Sequence, residues 1–112
     1  DYDDTREFMR FLLESYGYQV LEAANGYEAL DKVKNDSPDL IFMDISMPVM
    51  DGLTAAKTIR ERFRSKRVPI IAISAHGDSF AKKAKESGCD LLLKKPLDFE
   101  ELRPVLTRYL PA

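Results

Sequence analysis

Covalent staples are almost absent from this chain, since Cys89 is its only cysteine. No internal disulfide can form, which fits a reducing compartment such as the cytoplasm. An excess of basic charge is also missing: 17 Lys and Arg against 19 Asp and Glu leave a net charge of −2. That balance argues against a general electrostatic grip on nucleic acid, which needs a basic face. Apolar runs are short, Leu40–Met43 being typical, and fall far below the roughly 20 residues of a membrane helix. No signal peptide, repeat, low-complexity tract or linker is recognisable. What remains is 112 residues, 45% hydrophobic and 32% charged, the profile of one globular domain. A chain of this length buries about two-thirds of its unfolded surface, enough for a real core.

Two kinds of segment alternate along it. From Asp3 or Asp4, apolar residues at Phe8, Phe11, Leu12 and Tyr16 follow helical spacing until Gly17. Gln19–Ala23 reads as a short strand, and Asn25-Gly26 turns into a helix carrying Tyr27, Leu30 and Val33 on one face. Ser37-Pro38 ends that helix. The run Leu40-Ile41-Phe42-Met43 ends in Asp44 and suits a parallel strand covered on both faces. A third helix over Leu53–Phe63 presents Ala56, Ile59 and Phe63 inward, and Arg64–Arg67 forms a basic turn. Val68–Ser74 is the next buried strand, Ser79–Ser87 a weaker helix closed by Gly88, and Asp90–Lys94 the last strand. Asp98 caps a final helix with Leu102, Val105, Leu106 and Tyr109 on one stripe. A helix followed by four strand–helix units predicts an α/β fold with a parallel sheet and helices on both faces. The first helix has no strand before it.

In open parallel sheets, ligands bind outside the carboxyl ends of the strands. Those ends are Asp44, Ser74-Ala75 and Lys94-Lys95-Pro96, with Asp1 just ahead of the first helix. Two carboxylates, a hydroxyl and an ammonium therefore converge, the set that phosphoryl transfer to a carboxylate requires. Asp44 is the nucleophile. The incoming phosphoryl group is anionic, so a divalent ion (Mg²⁺, or Mn²⁺) is expected, held by Asp1, Asp44 and the backbone carbonyl of Ser46. Lys95 supplies a point charge to a phosphoryl oxygen and the Ser74 hydroxyl a donor to another.

These residues resemble a known family. Met43-Asp44-Ile45-Ser46-Met47-Pro48-Val49-Met50-Asp51-Gly52 looks like the phosphoacceptor loop of response regulator receiver domains. Val68–Ala75 resembles the family's fourth strand, Leu93-Lys94-Lys95-Pro96-Leu97 its Lys-Pro motif, and Asp1–Glu7 the segment after its first strand. The resemblance implies a flavodoxin-like three-layer fold of strand order 2-1-3-4-5. It also implies Asp44 as phosphoacceptor, Ser74 as switch hydroxyl, Lys95 as phosphate partner and a cis peptide before Pro96. The partners implied are a sensor histidine kinase or a histidine phosphotransfer protein. A downstream protein would read the face formed by the fourth helix, last strand and fifth helix, with a homodimer as an alternative and neither nucleic acid nor membrane involved. Residues 1–112 would form one receiver domain, cytoplasmic and N-terminally truncated.

Two departures from the family stand out. Its metal site uses an adjacent acidic pair ending the first strand. Asp1 aligns with the second member, while the first member and that strand are missing from the sequence. Leu92 occupies the position of the family's switch aromatic. Other conspicuous residues read more simply. Asp51-Gly52 starts a helix rather than binding metal; Cys89, Met43, Met47 and Met50 are packing residues; the Arg60–Arg67 run is a solvated helix end. His76 rims the site. Two competing functions are a receiver-like interaction module that takes no phosphate, and an aspartyl-phosphate hydrolase, although Ser46 stands where such hydrolases place a second Asp.

Overall fold

The continuous apolar runs do become parallel strands. In the computed structural model, which describes residues 2–45, 51–63, 67–75, 80–95 and 97–110, β1 (Ile41–Asp44), β2 (Ile70–Ser74) and β3 (Leu91–Lys94) form one sheet. Their order is β1-β2-β3, with Ile41 opposite Ile70 and Ile71 opposite Leu91, all parallel. Every residue of β2 is buried, as a central strand under two helical layers must be.

Helices α1 (Tyr2–Ser15) and α5 (Phe99–Tyr109) cover one face, and α2 (Gly26–Asp36), α3 (Gly52–Arg62) and α4 (Ala81–Glu86) the other. The larger core joins Leu30 and Val33 of α2 to Ala55, Ala56 and Ile59 of α3, Met43 of β1 and Ile70 of β2. The smaller one joins Met9 and Leu12 of α1 to Leu102 of α5, with Phe42 and Leu93 against them. Adjacent strand residues thus feed opposite layers, as the two-residue period of a strand requires.

The helix ends follow local chemistry. The Asn25, Asp51 and Asp98 side chains accept from the N–H of Glu28, Thr54 and Glu101 at 3.0, 2.9 and 2.9 Å, the N-caps expected of these residue types. Gly17 and Gly88, at φ +90° and +95°, close α1 and α4 with paired bonds. The N–H of Gly17 and Tyr18 reach Glu14 and Leu13, and those of Gly88 and Cys89 reach Lys85 and Ala84. Left-handed φ at such a position favours glycine.

Several sequence expectations change, among them the start of α1, which runs from Tyr2 rather than from a cap at Asp3 or Asp4, and Tyr27, which is exposed beside the buried Leu30 and Val33. The segment Gln19–Ala23 is irregular chain and joins no sheet among the described residues. In α1 the inward stripe is Met9, Leu12 and Leu13, while Phe8 and Phe11 face out, Phe11 at 74% exposure. Positions 9, 12 and 13 share a face, and Phe11 lies about 100° from Leu12 around the helix. The strand bounds also tighten, because Val68, Pro69 and Asp90 precede the ladders.

Candidate functional site at the carboxyl ends of the strands

Asp44 ends β1, Ser74 ends β2 and Lys95 follows β3, so the register alone brings the three together. Asp44 lies opposite Ile73, one residue short of Ser74, and Ser74 lies opposite Lys94. The backbone N–H of Lys95 donates to the Ser74 carbonyl at 2.8 Å, which fixes where the lysine leaves the sheet. Its Nζ then sits 2.7 Å from Oδ2 of Asp44. The expectation that this ammonium reaches that carboxylate is met directly, without an intervening water.

Burial sharpens the pair. Asp44 is 5% exposed and Ser74 1%, whereas the Lys95 side chain is 17% exposed. A carboxylate removed from water needs a partner, and a lysine supplies one on a flexible stem. Gly52 closes the site from α3: a Cβ there would strike the Asp44 carbonyl oxygen and lie 2.9 Å from the Ile45 Cα. The N–H of Gly52 donates to the Ile45 carbonyl at 3.2 Å. Only a residue without a side chain lets the helix begin this close to the end of β1. Asp51 is committed to capping α3, taking both the N–H and hydroxyl of Thr54, in line with its reading as a helix start.

Asp44, Ser74 and Lys95 are therefore brought into one place. Asp1, Ser46, His76 and Pro96 lie outside the described residues, and with them two of the three expected metal donors and the expected cis peptide. Leu92 is half-buried and packs on the larger core. Among the described residues no cluster of three His, Cys, Asp or Glu could hold a metal ion, and no helix is long and apolar enough to cross a membrane.

A family model described as the response regulator receiver domain matches residues 1–107. The chain belongs to the response regulator receiver domain family. Among relatives, sporulation initiation phosphotransferase F of Bacillus subtilis is 36% identical over 96 residues, 85% of this chain and 76% of that protein. Hybrid signal transduction histidine kinase G of Dictyostelium discoideum is 50% identical over 91 residues, 80% of this chain but only 3% of that protein's length. Among solved structures, the receiver domain of a sensor histidine kinase from Pseudomonas aeruginosa, which has a magnesium ion coordinated in its active site cleft, superposes with a TM-score of 0.87. It is 31% identical, and the match covers 98% of this chain and 91% of that one. The receiver domain described above thus has the flavodoxin-like α/β fold, with a parallel sheet.

Sequence reasoning missed one feature at the opposite end of the sheet. Asp90, just before β3, accepts from Arg60 at 3.0 Å, Arg67 at 2.8 Å and the Ile70 N–H at 2.9 Å. Arg60 also donates to the carbonyls of Gly88 and Val68. Burial pushes the Asp90 carboxyl up, but the Ile70 N–H and the two guanidiniums outweigh it and hold it below its ordinary value. Arg60 therefore belongs to the fold, not to a solvated run of charge. The signal available in the sequence was an Asp beginning an apolar strand, which has no distinctive spacing.

Proposed function

We propose that this receiver domain is a phosphorylation switch in which Asp44 accepts a phosphoryl group from a phosphohistidine. The observation that carries the reading is the buried Asp44 carboxylate with Lys95 Nζ 2.7 Å away at the sheet's carboxyl end. A carboxylate oxygen of Asp44 attacks phosphorus as the P–N bond to imidazole breaks. The bonding pair leaves on the ring nitrogen, which takes up a proton. Lys95 then moves from the carboxylate to a phosphoryl oxygen, and the Ser74 hydroxyl donates to another. The new dianion biases a pre-existing equilibrium of the domain.

The donor set fits a hard divalent cation, since Mg²⁺ takes one or two carboxylates and keeps several waters. Asp44 would be one ligand, with Asp1 and the Ser46 carbonyl the proposed others. The ion would supply charge neutralisation for the entering anion. Donors are a sensor histidine kinase or a histidine phosphotransfer protein in the cytoplasm. The output surface is α4, β3 and α5, read by a protein target or a second copy. The same reading takes residues 1–112 as one receiver domain.

Incubation with acetyl phosphate and Mg²⁺, followed by intact mass measurement, tests this reading. One phosphoryl increment on the wild type and none on Asp44→Asn is the expected result. An equal increment on both, or none on the wild type, sinks it. Sustained turnover of a small phosphoester would instead indicate the hydrolase.

A further inference from the structure

Charge is segregated along this chain. From Leu53 to Gly88 stand nine Lys and Arg against three Asp and Glu, while the remaining residues carry eight and sixteen. The fold gathers the basic stretch on one flank. Arg60, near the end of α3, donates to the carbonyl of Gly88 just beyond α4 at 2.9 Å, so the carboxyl ends of the two helices meet. One turn back from that contact a lysine stands on each helix, Lys57 on α3 and Lys85 on α4, both exposed. Lys82 and Lys83 extend the row along α4, and Arg62 extends it along α3, all three exposed. Cations in a last turn complement the helix dipole, which accounts for Arg62, Lys83 and Lys85 but not for Lys57 or Lys82. No carboxylate among the described residues pairs with any of the five. Glu61 and Glu86 stand four residues after Lys57 and Lys82 and still close no ion pair.

We propose that the α3–α4 flank docks an acidic segment of a partner protein, a short extended run of Asp and Glu laid along the lysine row. The chemistry selects this occupant over three others. Nucleic acid is held by many phosphate contacts and favours the guanidinium fork. Here Arg60 and Arg67 are held by Asp90, and four of the five exposed cations are lysines. Insertion into a membrane needs apolar side chains, and among the described residues α3 and α4 expose no large hydrophobic one. A second copy needs about 800 Å² from each partner. Helices of eleven and six residues, the longer about 16 Å, with axes about 10 Å apart, offer roughly 300 Å². A peptide needs less. At about 3.3 Å per extended residue, five or six residues run the length of α3, and alternate carboxylates face the lysines. Attraction between exposed charges hastens encounter more than it tightens the complex, and it weakens as salt rises. The inference uses no phosphoryl chemistry at Asp44.

Titration with fluorescein-labelled hexaglutamate tests this, with amide NMR shifts locating the contact. The expected result is one-to-one binding, shifts over α3 and α4, and an affinity that falls at least about tenfold between ~0.01 and ~0.15 M salt. At ~0.1 M salt, charges more than about 10 Å apart are largely screened. There, Lys57→Glu with Lys85→Glu loses at least about tenfold, and Lys32→Glu with Lys34→Glu, the same change of charge on α2, loses less than about threefold. Lys57→Gln with Lys85→Gln adds no repulsion and loses an intermediate amount, with an unchanged urea midpoint showing that the fold is kept. No binding of hexaglutamate, equal losses in the two Glu variants, or shifts away from α3 and α4 overturn the proposal. So does tighter binding of an oligothymidylate of equal charge, the mark of a nucleic-acid site, or a salt-dependent dimer that hexaglutamate fails to dissociate. No phosphodonor is present in these titrations, so their failure leaves the reading of Asp44 standing.

Discussion

Each end of the sheet holds an aspartate beside a cation: Asp90 with Arg60 and Arg67 where β2 and β3 begin, Asp44 with Lys95 where β1 and β3 finish. At the first end both carboxylate oxygens are engaged by guanidinium forks, and a backbone N–H joins them. Arg60 is itself pinned by two carbonyls. Nothing in that arrangement is free to move without breaking several bonds. At the second end the cation is a single ammonium on a flexible stem. Lysine can leave a carboxylate for a neighbouring oxygen; a clamped arginine cannot. An ion pair becomes structural or chemical through the rigidity of its cation.

The comparison breaks first, and most visibly, on stability. Asp90→Ala strands the Ile70 N–H and leaves Arg60 held by carbonyls without its counter-ion, so it should cost about 2–3 kcal/mol. Asp44→Ala should cost no more than about 1 kcal/mol, because Lys95 can turn to water. Urea denaturation of both variants reads the difference, and similar losses would mean the two pairs are alike. Gly52→Ala comes next. Its Cβ meets the backbone of Asp44 and Ile45, so α3 must retreat from the site at a cost of about 1–3 kcal/mol. Phosphoryl uptake should slow as well, which a stability change at Asp90 would not cause while the domain remains folded.

The two ends also differed in how far the sequence disclosed them. Asp44, Ser74 and Lys95 were legible because each follows a run of buried apolar residues, and strand ends in a parallel sheet must meet at one edge. The caps Asp51 and Asp98 were legible for the equally local reason that their side chains reach N–H groups three residues on. The Arg60–Asp90 clamp was not, since its partners are 30 residues apart and only the folded crossover brings them together. Phe8 and Phe11 keep helical spacing too, but the stripe through Met9, Leu12 and Leu13 satisfies the same period and is the one that packs against α5 and the sheet. The strand over Gln19–Ala23 failed for a tertiary reason: its β pattern needs a neighbour to pair with, and pattern alone cannot supply one.

A smaller effect separates the ends by pH. Asp90 titrates below the ordinary 3.8 in the folded chain, since its N–H donor and guanidinium partners outweigh the cost of burial. Below 3.8 the unfolded state binds more protons than the native one. The stability this provides is therefore present above 3.8 and lost as pH falls through the depressed folded value. Acid titration of the urea midpoint should show that loss in the wild type and a shallower one in Asp90→Asn. Equal slopes would remove Asp90 from the acid response.

Cys89 gives the last contrast, a buried thiol at the end of the sheet opposite Asp44. Burial pushes its thiol from an ordinary 9.0 to about 11, with Arg60 opposing and Asp90 adding to the rise. The thiolate is the reactive form, so near neutral pH the folded chain should hold about a hundredfold less of it than the unfolded chain. Iodoacetamide at pH 8 should accordingly modify Cys89 slowly in buffer and at least about a hundredfold faster in urea. The raised value also sets a sign. Between pH 9.0 and about 11 the unfolded thiol ionises while the folded one stays neutral, so stability declines across that window. Cys89→Ala should abolish this decline while leaving the proposed phosphoryl uptake at Asp44 unchanged, because the thiol sits at the end of the sheet remote from Asp44. Rapid alkylation of the native chain would show that burial at this end does not quench a nucleophile, and the distinction drawn from Asp90 and Asp44 would lose its generality.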